Sequence, residues 1–320
     1  MFAGNRIAVV LPCYRSRRQV LGVIKSLPAF VDHIIIVDDA CPDDTGEHVA
    51  ANLVDPRLVV VEHAQNQGVG GAMVSGYQAA IAASADVVVK IDSDGQMDPA
   101  LMPAFLQPIV DGVADYTKGN RFFELEALRD MPRVRLFGNA ALSLVNKFSS
   151  GYWDVMDPTN GYTAIHTKVL KRLPLAKLAK RYFFESDMLF RLGTMRAVVV
   201  DIPMEARYRD EVSNLRVSNV LLDFPGKYLT RFVKRVFYTY LLRDFNAGSV
   251  QLLLGLALLA AGGAFGAWNW MQSIVTGVPA TSGTVMLAAM PVLLGGHLLI
   301  GAMNYDIASV PKRCLHRALP

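Results

Sequence analysis

Short apolar segments alternate with helical patterns over the first 120 residues of the chain. Four segments rich in Val and Ile predict buried β-strands: residues 7–11, 33–37, 58–62 and 87–91. The segments between them have apolar positions at helical spacing and predict helices: residues 17–27, 44–52 and 70–83. This alternation predicts an α/β fold, in which helices cover both faces of a mostly parallel sheet. Ligands of such folds bind at the carboxyl ends of the strands, so the residues after each strand are the candidates for chemistry.

Beyond residue 120 the pattern is mixed. It predicts helices at residues 134–148 and 182–192, and strands at residues 163–166 and 197–202. Residues 226–242 predict one amphipathic helix, because apolar and aromatic positions recur on one side and basic positions on the other. A basic, aromatic-rich helix of this kind suits a membrane interface, and a helix packed on the domain is the alternative.

Two long apolar segments, residues 250–271 and 284–304, come after this helix. Each is close to the ~20 residues that cross a bilayer, and residues 245–305 contain no Asp, Glu, Lys or Arg. Basic residues precede and follow the pair, but none lies in the turn between the two segments. The positive-inside rule therefore predicts a transmembrane hairpin with both ends in the cytosol. A buried helical hairpin of a soluble protein is the alternative.

Composition agrees with a membrane-associated protein. Hydrophobic residues make up 52% of the 320 residues, and charged residues make up 19%, below the ~25% of ordinary soluble chains. The net charge of +4 is too small to indicate nucleic acid, and three distant Cys residues exclude a disulfide scaffold. The first apolar segment is too short for a signal peptide, so we expect the bulk of a multi-pass protein on the cytoplasmic side of the inner (plasma) membrane.

Acidic residues follow the fourth predicted strand. Asp92 and Asp94 alternate in an extended segment and therefore share a face, and Gln96 adds an amide oxygen. Oxygen ligands of this kind are preferred by hard divalent cations, and Mg²⁺ commonly uses one or two protein carboxylates together with substrate phosphates. We interpret the three residues as a metal–diphosphate site, and an acidic surface turn is the alternative.

Polar groups also follow the other strands. The first strand ends in Pro12 and Tyr14, and the second ends in Asp38 and Asp39. Asn66 begins the Gly-rich turn NQGVGGA, which follows the third strand and opens a helix. Such a turn can bring backbone N–H groups to a phosphate, but it is equally consistent with close helix packing.

These motifs occur in an order and spacing that resemble family 2 of the inverting glycosyltransferases, which have the GT-A (Rossmann-like) fold. The resemblance is carried by Pro12 and Tyr14 and by the segments VDDACPDDT, NQGVGGA and DSDGQMDP. Within the family, the chain looks most like the polyprenyl-phosphate glycosyltransferases related to dolichol-phosphate mannose synthase. The segments GNRFF, RVRLFGN and DPTNGY match these proteins, as does a catalytic domain followed by an interfacial helix and a transmembrane hairpin.

The resemblance implies roles for the matched positions. The nucleotide part of a nucleotide-sugar donor would contact Pro12, Tyr14, Asp38, Asp39, Asn66, Asp92, Arg209 and Arg216. A Mg²⁺ or Mn²⁺ ion would bind Asp92, Asp94 and Gln96 across the donor diphosphate. The phosphate of a polyprenyl acceptor would contact Arg121, Arg133, Arg135 and Asn139. Relatives usually have Asn-Glu after the tyrosine, where this chain has Arg15 and Ser16.

Three carboxylates are candidates for the chemistry itself: Asp94, Asp157 and Asp187. A lipid phosphate has a second pKa near ~6, so it is a strong nucleophile at neutral pH and needs a general base less than a sugar hydroxyl does. Asp157 could still orient the sugar or act as a base, with a helix or turn cap as the alternative. Asp187 could face the site or interact with the dipole at the start of its helix.

We therefore expect a metal-dependent hexosyltransferase that moves one sugar from a UDP- or GDP-sugar to a polyprenyl phosphate with inversion, for the assembly or modification of cell-envelope glycans. The alternatives are transfer to another lipid or polysaccharide and a membrane-tethered nucleotide-binding scaffold without catalysis. The expected regions are a cytosolic glycosyltransferase domain, an interfacial helix, the hairpin and a cytosolic basic tail, at residues 1–222, 223–246, 247–306 and 307–320. Hairpins that pack between protomers would allow a homo-oligomer.

Overall fold

The computed structural model of the protein describes residues 1–123, 133–205 and 217–320, and for residues 133–135 and 217–222 the description covers the backbone. These residues divide into two compact units. The first unit contains residues 1–232 and 311–320, and the second contains residues 233–310. The boundary between the units lies inside a long helix. The four regions expected from the sequence stay a prediction.

A seven-stranded sheet forms the centre of the first unit. Its strands are β1 (Ile7–Cys13), β2 (His33–Asp38), β3 (Leu58–Glu62), β4 (Val87–Lys90), β5 (Tyr116–Asn120), β6 (Thr163–His166) and β7 (Val199–Pro203). Their order in the sheet is β3-β2-β1-β4-β6-β5-β7. Only β6 is antiparallel to its neighbours among these strands. The predicted α/β fold with a mostly parallel sheet is confirmed.

The direction of the strands places the candidate residues together. Because β6 runs antiparallel to both β4 and β5, the strands β1, β2, β4 and β5 all point the same way. The segments after these four strands, and the segment before β6, therefore lie at one edge of the sheet, here called the carboxyl edge. Strands β1, β2 and β4 are buried almost throughout, as their continuous Val and Ile runs require for a sheet covered on both faces.

Within the described residues up to residue 205, seven α-helices surround the sheet or connect its strands. They are α1 (Val20–Ser26), α2 (Thr45–Asn52), α3 (Val69–Ala82), α4 (Met102–Val110), α5 (Arg133–Ser150), α6 (Thr167–Leu170) and α7 (Phe184–Met195). The sequence predicted five of these helices and missed α4 and the single turn α6. It also missed β5, because its sequence YTKGN lacks a run of apolar residues, although all five residues are buried.

The long helix α8 (Val217–Val236) continues as a π-helix (Phe237–Arg243), where the sequence predicted one α-helix. In the second unit, α9 (Ala247–Thr276) and α10 (Ser282–Ala308) are long and apolar enough to cross a membrane. The Asp306 carboxylate near the end of α10 accepts hydrogen bonds from Arg235 Nη1 (2.8 Å) and from the Tyr240 hydroxyl (2.5 Å). The end of α10 therefore returns to the side of this unit that holds the end of α8, as a hairpin requires.

The C-terminal tail is held within the first unit by a buried carboxylate. Asp115 accepts hydrogen bonds from the backbone N–H groups of Val198, Leu315 and His316 at 2.8–2.9 Å, and His316 Nδ1 lies 2.7 Å from its Oδ1. Among the described residues, Asp115, Cys314 and His316 form a group of three potential metal ligands. The carboxylate already has a donor at each of its oxygens, so this group anchors the tail.

Candidate active site

The loop after β4 holds the predicted metal ligands at the carboxyl edge. Ser93 is buried, and its hydroxyl donates a hydrogen bond to the Pro12 carbonyl (2.9 Å). Asp92 and Asp94 on either side of it are half-buried. The Gln96 backbone N–H donates to Asp94 Oδ1 at 2.9 Å. The chain makes a turn at Ser93 and Asp94, where the sequence predicted an extended segment, and the two carboxylates are partly exposed at the carboxyl edge while Ser93 between them faces the core.

This set of side chains fits a hard divalent cation. Asp92 and Asp94 offer carboxylate oxygens, and Gln96 offers an amide oxygen. All three residues are half-buried, so they are held by the fold and still open to a ligand.

A buried lysine lies beside Asp92. The Nζ atom of Lys90 is 2.6 Å from Asp92 Oδ1, 3.2 Å from the Gly161 carbonyl and 3.4 Å from Glu185 Oε1. Burial alone would lower the pKa of Lys90, but the carboxylates of Asp92 and Glu185 outweigh it and raise the pKa above its ordinary value. Burial raises the pKa of Glu185, against the opposing effect of Lys90. Neither residue was predicted from the sequence as part of the site, although the lysine inside the apolar run VVVKI was a usable signal.

The first carboxylate after β2 is engaged by the backbone. Asp38 is 6% exposed, and its two oxygens accept hydrogen bonds from the N–H groups of Cys41 (2.7 Å) and Gly46 (2.6 Å). These bonds fix the loop that leads from β2 into α2. Asp38 therefore has a structural role in this loop at the carboxyl edge, whereas the resemblance implied contact with the nucleotide.

The second carboxylate after β2 holds the Gly-rich turn. Asp39 is 3% exposed, and its oxygens accept hydrogen bonds from the N–H groups of Gln67 (2.8 Å) and Gly68 (2.7 Å). His63 Nδ1 lies 2.7 Å from Asp39 Oδ1, and the Asn66 side chain donates to the Asp39 carbonyl at 3.2 Å. His63, directly after β3, is thus part of this network.

The Gly-rich turn itself is closely packed. A Cβ atom built on Gly70 would overlap the Ala179 carbonyl oxygen, so the position has no room for a side chain. The N–H of Gly71 donates to the Lys180 carbonyl at 3.1 Å. With the N–H groups of Gln67 and Gly68 bound to Asp39, the structure favours the close-packing interpretation of this turn over a phosphate cradle.

Pro12 and Tyr14 lie beside the acidic loop of β2. The pairing of β1 with β2 sets Cys13 opposite Asp38, and the Asp39 N–H donates to the Cys13 carbonyl at 3.0 Å. Pro12 is half-buried, and Tyr14 is 45% exposed at the carboxyl edge. An exposed aromatic ring next to this edge is a suitable surface for a flat nucleotide base.

Arg121 forms a bidentate ion pair with Asp157 where β5 ends. Its Nε and Nη2 atoms donate to the Asp157 carboxylate at 2.7 and 2.8 Å, and Asn160 Nδ2 donates to it at 3.1 Å. Burial would raise the pKa of Asp157, but the hydrogen bonds and charge of Arg121 outweigh it and lower the pKa. The Asp157 side chain is 1% exposed and that of Arg121 is 24% exposed, so the guanidinium is the part of the pair that a ligand can reach. This geometry favours Asp157 as the support of Arg121 over Asp157 as a base.

Asp187 holds helices together. Its carboxylate is fully buried and accepts hydrogen bonds from the Ala179 N–H (3.0 Å), Arg191 Nε (2.9 Å) and Arg231 Nε (2.8 Å). Arg231 belongs to α8, so the carboxylate fixes the start of α7 to that helix. Three donors occupy a carboxylate that solvent does not reach, which favours a structural role for Asp187 over the candidate catalytic role.

Other predicted residues lie at the limits of the described structure. Arg209 and Arg216 fall outside the described residues, and Arg133 and Arg135 lie at the start of α5, where the backbone alone is described. Asn139 is half-buried on α5. The assignment of these five residues to the donor and the acceptor stays a prediction.

Comparison with known proteins finds relatives that cover most of the chain. The chain is 28% identical to the UDP-N-acetylglucosamine–dolichyl-phosphate N-acetylglucosaminyltransferase of Methanococcus voltae, over 72% of this chain and 97% of the relative. It is 30% identical to the polyprenol monophosphomannose synthase of Mycolicibacterium smegmatis, over 68% of this chain and 83% of the relative.

A solved structure shares the fold. It is the glucosyl-3-phosphoglycerate synthase of Mycobacterium tuberculosis in complex with Mn²⁺, UDP-glucose and phosphoglyceric acid, which superposes with a TM-score of 0.51 at 22% identity over 73% of this chain and 80% of that chain. The family comparison covers more than half of the chain, since residues 8–174 match glycosyl transferase family 2. The protein therefore belongs to glycosyl transferase family 2.

Proposed function

We propose that this protein transfers one sugar from a nucleotide-sugar donor to a polyprenyl phosphate, with inversion at the sugar and with a bound Mg²⁺ or Mn²⁺ ion. The observation that carries the proposal is the carboxyl edge. There, the half-buried carboxylates of Asp92 and Asp94 follow β4, and the reachable guanidinium of Arg121 follows β5. An acidic site for a cation and a basic site for a phosphate thus occupy one edge of the same sheet.

On the donor side, Asp92, Asp94 and Gln96 hold the cation, which supplies positive charge to the departing diphosphate. Pro12 and Tyr14 line the base pocket, and Asp38 and Asp39 keep its walls in place. Support comes from the chemistry of the ligand set and from the shared fold of a glycosyltransferase captured with Mn²⁺ and UDP-glucose. The named relatives use both N-acetylglucosamine and mannose, so the sugar and the nucleotide are left open.

On the acceptor side, Arg121 binds the lipid phosphate by charge-assisted hydrogen bonds, for which its planar guanidinium is suited. The phosphate is already an oxyanion at neutral pH, so the attack needs no side-chain base. This agrees with an Asp157 carboxylate that is buried and occupied by Arg121 and Asn160. The similarity to a dolichyl-phosphate N-acetylglucosaminyltransferase and to a polyprenol monophosphomannose synthase supports the lipid-phosphate acceptor.

A lipid acceptor also requires a protein that remains at the bilayer. The helices α9 and α10 satisfy this requirement, because they are 30 and 27 residues long and strongly apolar. We assign both termini and the catalytic domain to the cytoplasmic side, because Lys and Arg flank the helix pair and are missing from the turn between the helices.

The function is tested by offering radiolabelled UDP- and GDP-sugars to membranes that contain the protein and undecaprenyl phosphate. We expect label from one donor to enter a lipid product that depends on the divalent cation. Undecaprenol without the phosphate is the matched control acceptor, and it should remain unlabelled. Label in polysaccharide, or equal labelling of the alcohol, would reject the lipid-phosphate acceptor and favour the alternative transferase.

The orientation is tested with a single cysteine. Ser282→Cys places a thiol at the start of α10, next to the turn, in a Cys314→Ser background; Cys13 and Cys41 are buried. An impermeant maleimide should label this cysteine in intact cells. Labelling that requires lysis would place the turn in the cytosol and reject the assigned topology.

A further inference from the structure

A buried ion pair lies next to the candidate metal ligand Asp92. The side chains of Lys90 and Glu185 are 1% and 12% exposed, and their charged atoms lie 3.4 Å apart. Lys90 ends β4, and Glu185 lies in the first turn of α7. Taking two charges out of water is costly, and a well-packed apolar pair would often serve stability as well. The pair therefore calls for an explanation in terms of the site.

Lys90 fixes the orientation of the Asp92 carboxylate. Its ammonium has three protons, and three oxygen acceptors surround it, of which Asp92 Oδ1 is the nearest at 2.6 Å. A carboxylate that is held at Oδ1 cannot rotate freely, so Oδ2 also takes a defined position. Gly161 provides the room for it, because a Cβ atom on Gly161 would overlap Asp92 Oδ2 and would lie 2.5 Å from Lys90 Nζ.

Glu185 offsets the positive charge that Lys90 brings next to the candidate cation site. A dication is held by the negative charges of Asp92 and Asp94, and a neighbouring ammonium alone would repel it. The Glu185 carboxylate, 3.4 Å from the Lys90 ammonium, cancels that positive charge. The site thus keeps the orienting hydrogen bond and its full negative charge, which matters most in an interior of low effective dielectric.

We propose that Lys90 and Glu185 are positioning residues for Asp92: Lys90 orients the carboxylate, and Glu185 preserves the negative charge available to a divalent cation. The proposal rests on the proposed function, since it needs a cation at Asp92 and Asp94. A purely structural pair that fastens α7 to the sheet would change thermal stability and leave cation affinity unaltered, so the two roles give different measurements.

The test is the binding of Mn²⁺ to the full-length protein in detergent, measured from the electron paramagnetic resonance signal of free Mn²⁺ in the presence of UDP and, separately, of GDP. Glu185→Gln leaves the ammonium uncompensated and should weaken Mn²⁺ binding about tenfold. Gly161→Ala should weaken it similarly by displacing Asp92 Oδ2. Asp201→Asn is the matched control, because it makes the same change beside another buried lysine, Lys118, at 3.0 Å, and should leave Mn²⁺ binding unchanged.

The outcomes separate this proposal from the proposed function. Loss of binding in Asp94→Asn, with wild-type binding in Glu185→Gln and Gly161→Ala, would keep the metal site and overturn the positioning role. If either single variant fails to fold, Lys90→Met combined with Glu185→Gln removes both charges at once. This double variant should still bind Mn²⁺ more weakly than the wild type because Asp92 loses its orientation, and equal binding overturns the proposal. A wild-type protein that binds no Mn²⁺ with either nucleotide overturns both.

Discussion

Two pairs of acidic residues follow strands of the same sheet but differ in burial and in hydrogen bonding. Asp38 and Asp39 after β2 are nearly buried, and each carboxylate accepts hydrogen bonds from backbone N–H groups. Asp92 and Asp94 after β4 are half-buried, although Asp92 contacts Lys90 and Asp94 accepts the Gln96 N–H. A pair of carboxylates after a strand is therefore not in itself a ligand site. Its role depends on how deeply it is buried and on whether hydrogen-bond donors of the protein already occupy its oxygens.

The difference arises from the path of the chain beyond each strand. After β2 the chain turns directly into α2, and the turn that opens α3 lies beside it, so the N–H groups of Cys41, Gly46, Gln67 and Gly68 converge on the two carboxylates. After β4 the chain first makes an open loop before a short 3₁₀ helix at Pro99–Leu101. Ser93 points inward there, and its two acidic neighbours are left at the surface of the carboxyl edge.

The largest effect is expected at the half-buried pair. Asp94→Asn should abolish sugar transfer, because it removes one of the two carboxylate charges that hold the cation, while the thermal midpoint should stay close to that of the wild type since Asp94 is half-buried. Transfer of label to lipid and thermal unfolding of the same preparation give both quantities. Full activity of Asp94→Asn in the presence of a chelator would show that the pair after β4 holds no metal.

Substitution of the buried pair after β2 should lower the free energy of unfolding. Asp38→Ala leaves the N–H groups of Cys41 and Gly46 without their acceptor and should cost about 2–4 kcal/mol of unfolding free energy, since hydrogen bonds to charged groups contribute about 1.5–3 kcal/mol each. Asp44→Asn is the control in the same acidic loop: Asp44 is exposed with a φ of 52°, a conformation that Asn tolerates, so a change within about 0.5 kcal/mol is expected. Equal stability of Asp38→Ala and Asp44→Asn would mean that the buried pair is not structural.

Asp157 is an intermediate case, because it is buried like Asp38 but is held by a side chain that a ligand can reach. Arg121→Ala should weaken the use of lipid phosphate roughly ten- to a hundredfold, from the loss of a charge-assisted pair worth ~1.5–3 kcal/mol. It also leaves a buried carboxylate without its partner, so the double variant Arg121→Ala/Asp157→Asn is needed to recover stability. The double variant should fold and still use lipid phosphate poorly.

Nucleotide binding distinguishes the two sides of the site in these variants. Donor binding should change little in both, because Pro12, Tyr14 and the metal loop are untouched. Lost nucleotide-sugar binding together with intact acceptor affinity would move Arg121 to the donor side and reverse the proposed division of the site.

The sequence predicted the elements that have strong patterns. Continuous Val and Ile runs identified β1, β2 and β4, and charge-free stretches identified α9 and α10. Strand β5 was missed because its burial depends on neighbours that a local pattern cannot contain. One lysine and one asparagine are buried there, and both Lys118 and Asn120 donate hydrogen bonds to the distant Asp201.

The same limit applies to the candidate site. Residue type and position after a predicted strand identified Asp92 and Asp94, and the family resemblance identified Arg121. They could not reveal that Asp187 is engaged by Arg191 and Arg231, or that Glu185, two residues earlier, reaches Lys90. Partners that are far apart in sequence set these roles, and only the fold brings the partners together.

The smallest effect is expected in the pH dependence of stability at Asp157. Arg121 holds the pKa of this carboxyl below its ordinary value, so the ion pair stabilises the folded state fully above about pH 4 and loses this contribution as pH falls through the lowered pKa. In Arg121→Gln the largest cause that lowers the pKa is gone, while burial, which raises the pKa, and the smaller lowering effects of Lys118 and Asn160 remain. The pKa of Asp157 in the folded state therefore moves up, the folded state takes up its proton more readily, and less stability is lost on acidification, so the loss of thermal midpoint between pH 7 and about pH 3 in detergent should be smaller for Arg121→Gln than for the wild type. Asp157→Asn removes the titrating group, so this difference from the wild type should no longer depend on pH through Asp157 when it is combined with Arg121→Gln. Identical acid profiles for Arg121→Gln and the wild type would show that Asp157 does not depend on Arg121 for its ionised state. Asp157 would then resemble the carboxylates after β2, which are held by backbone N–H groups.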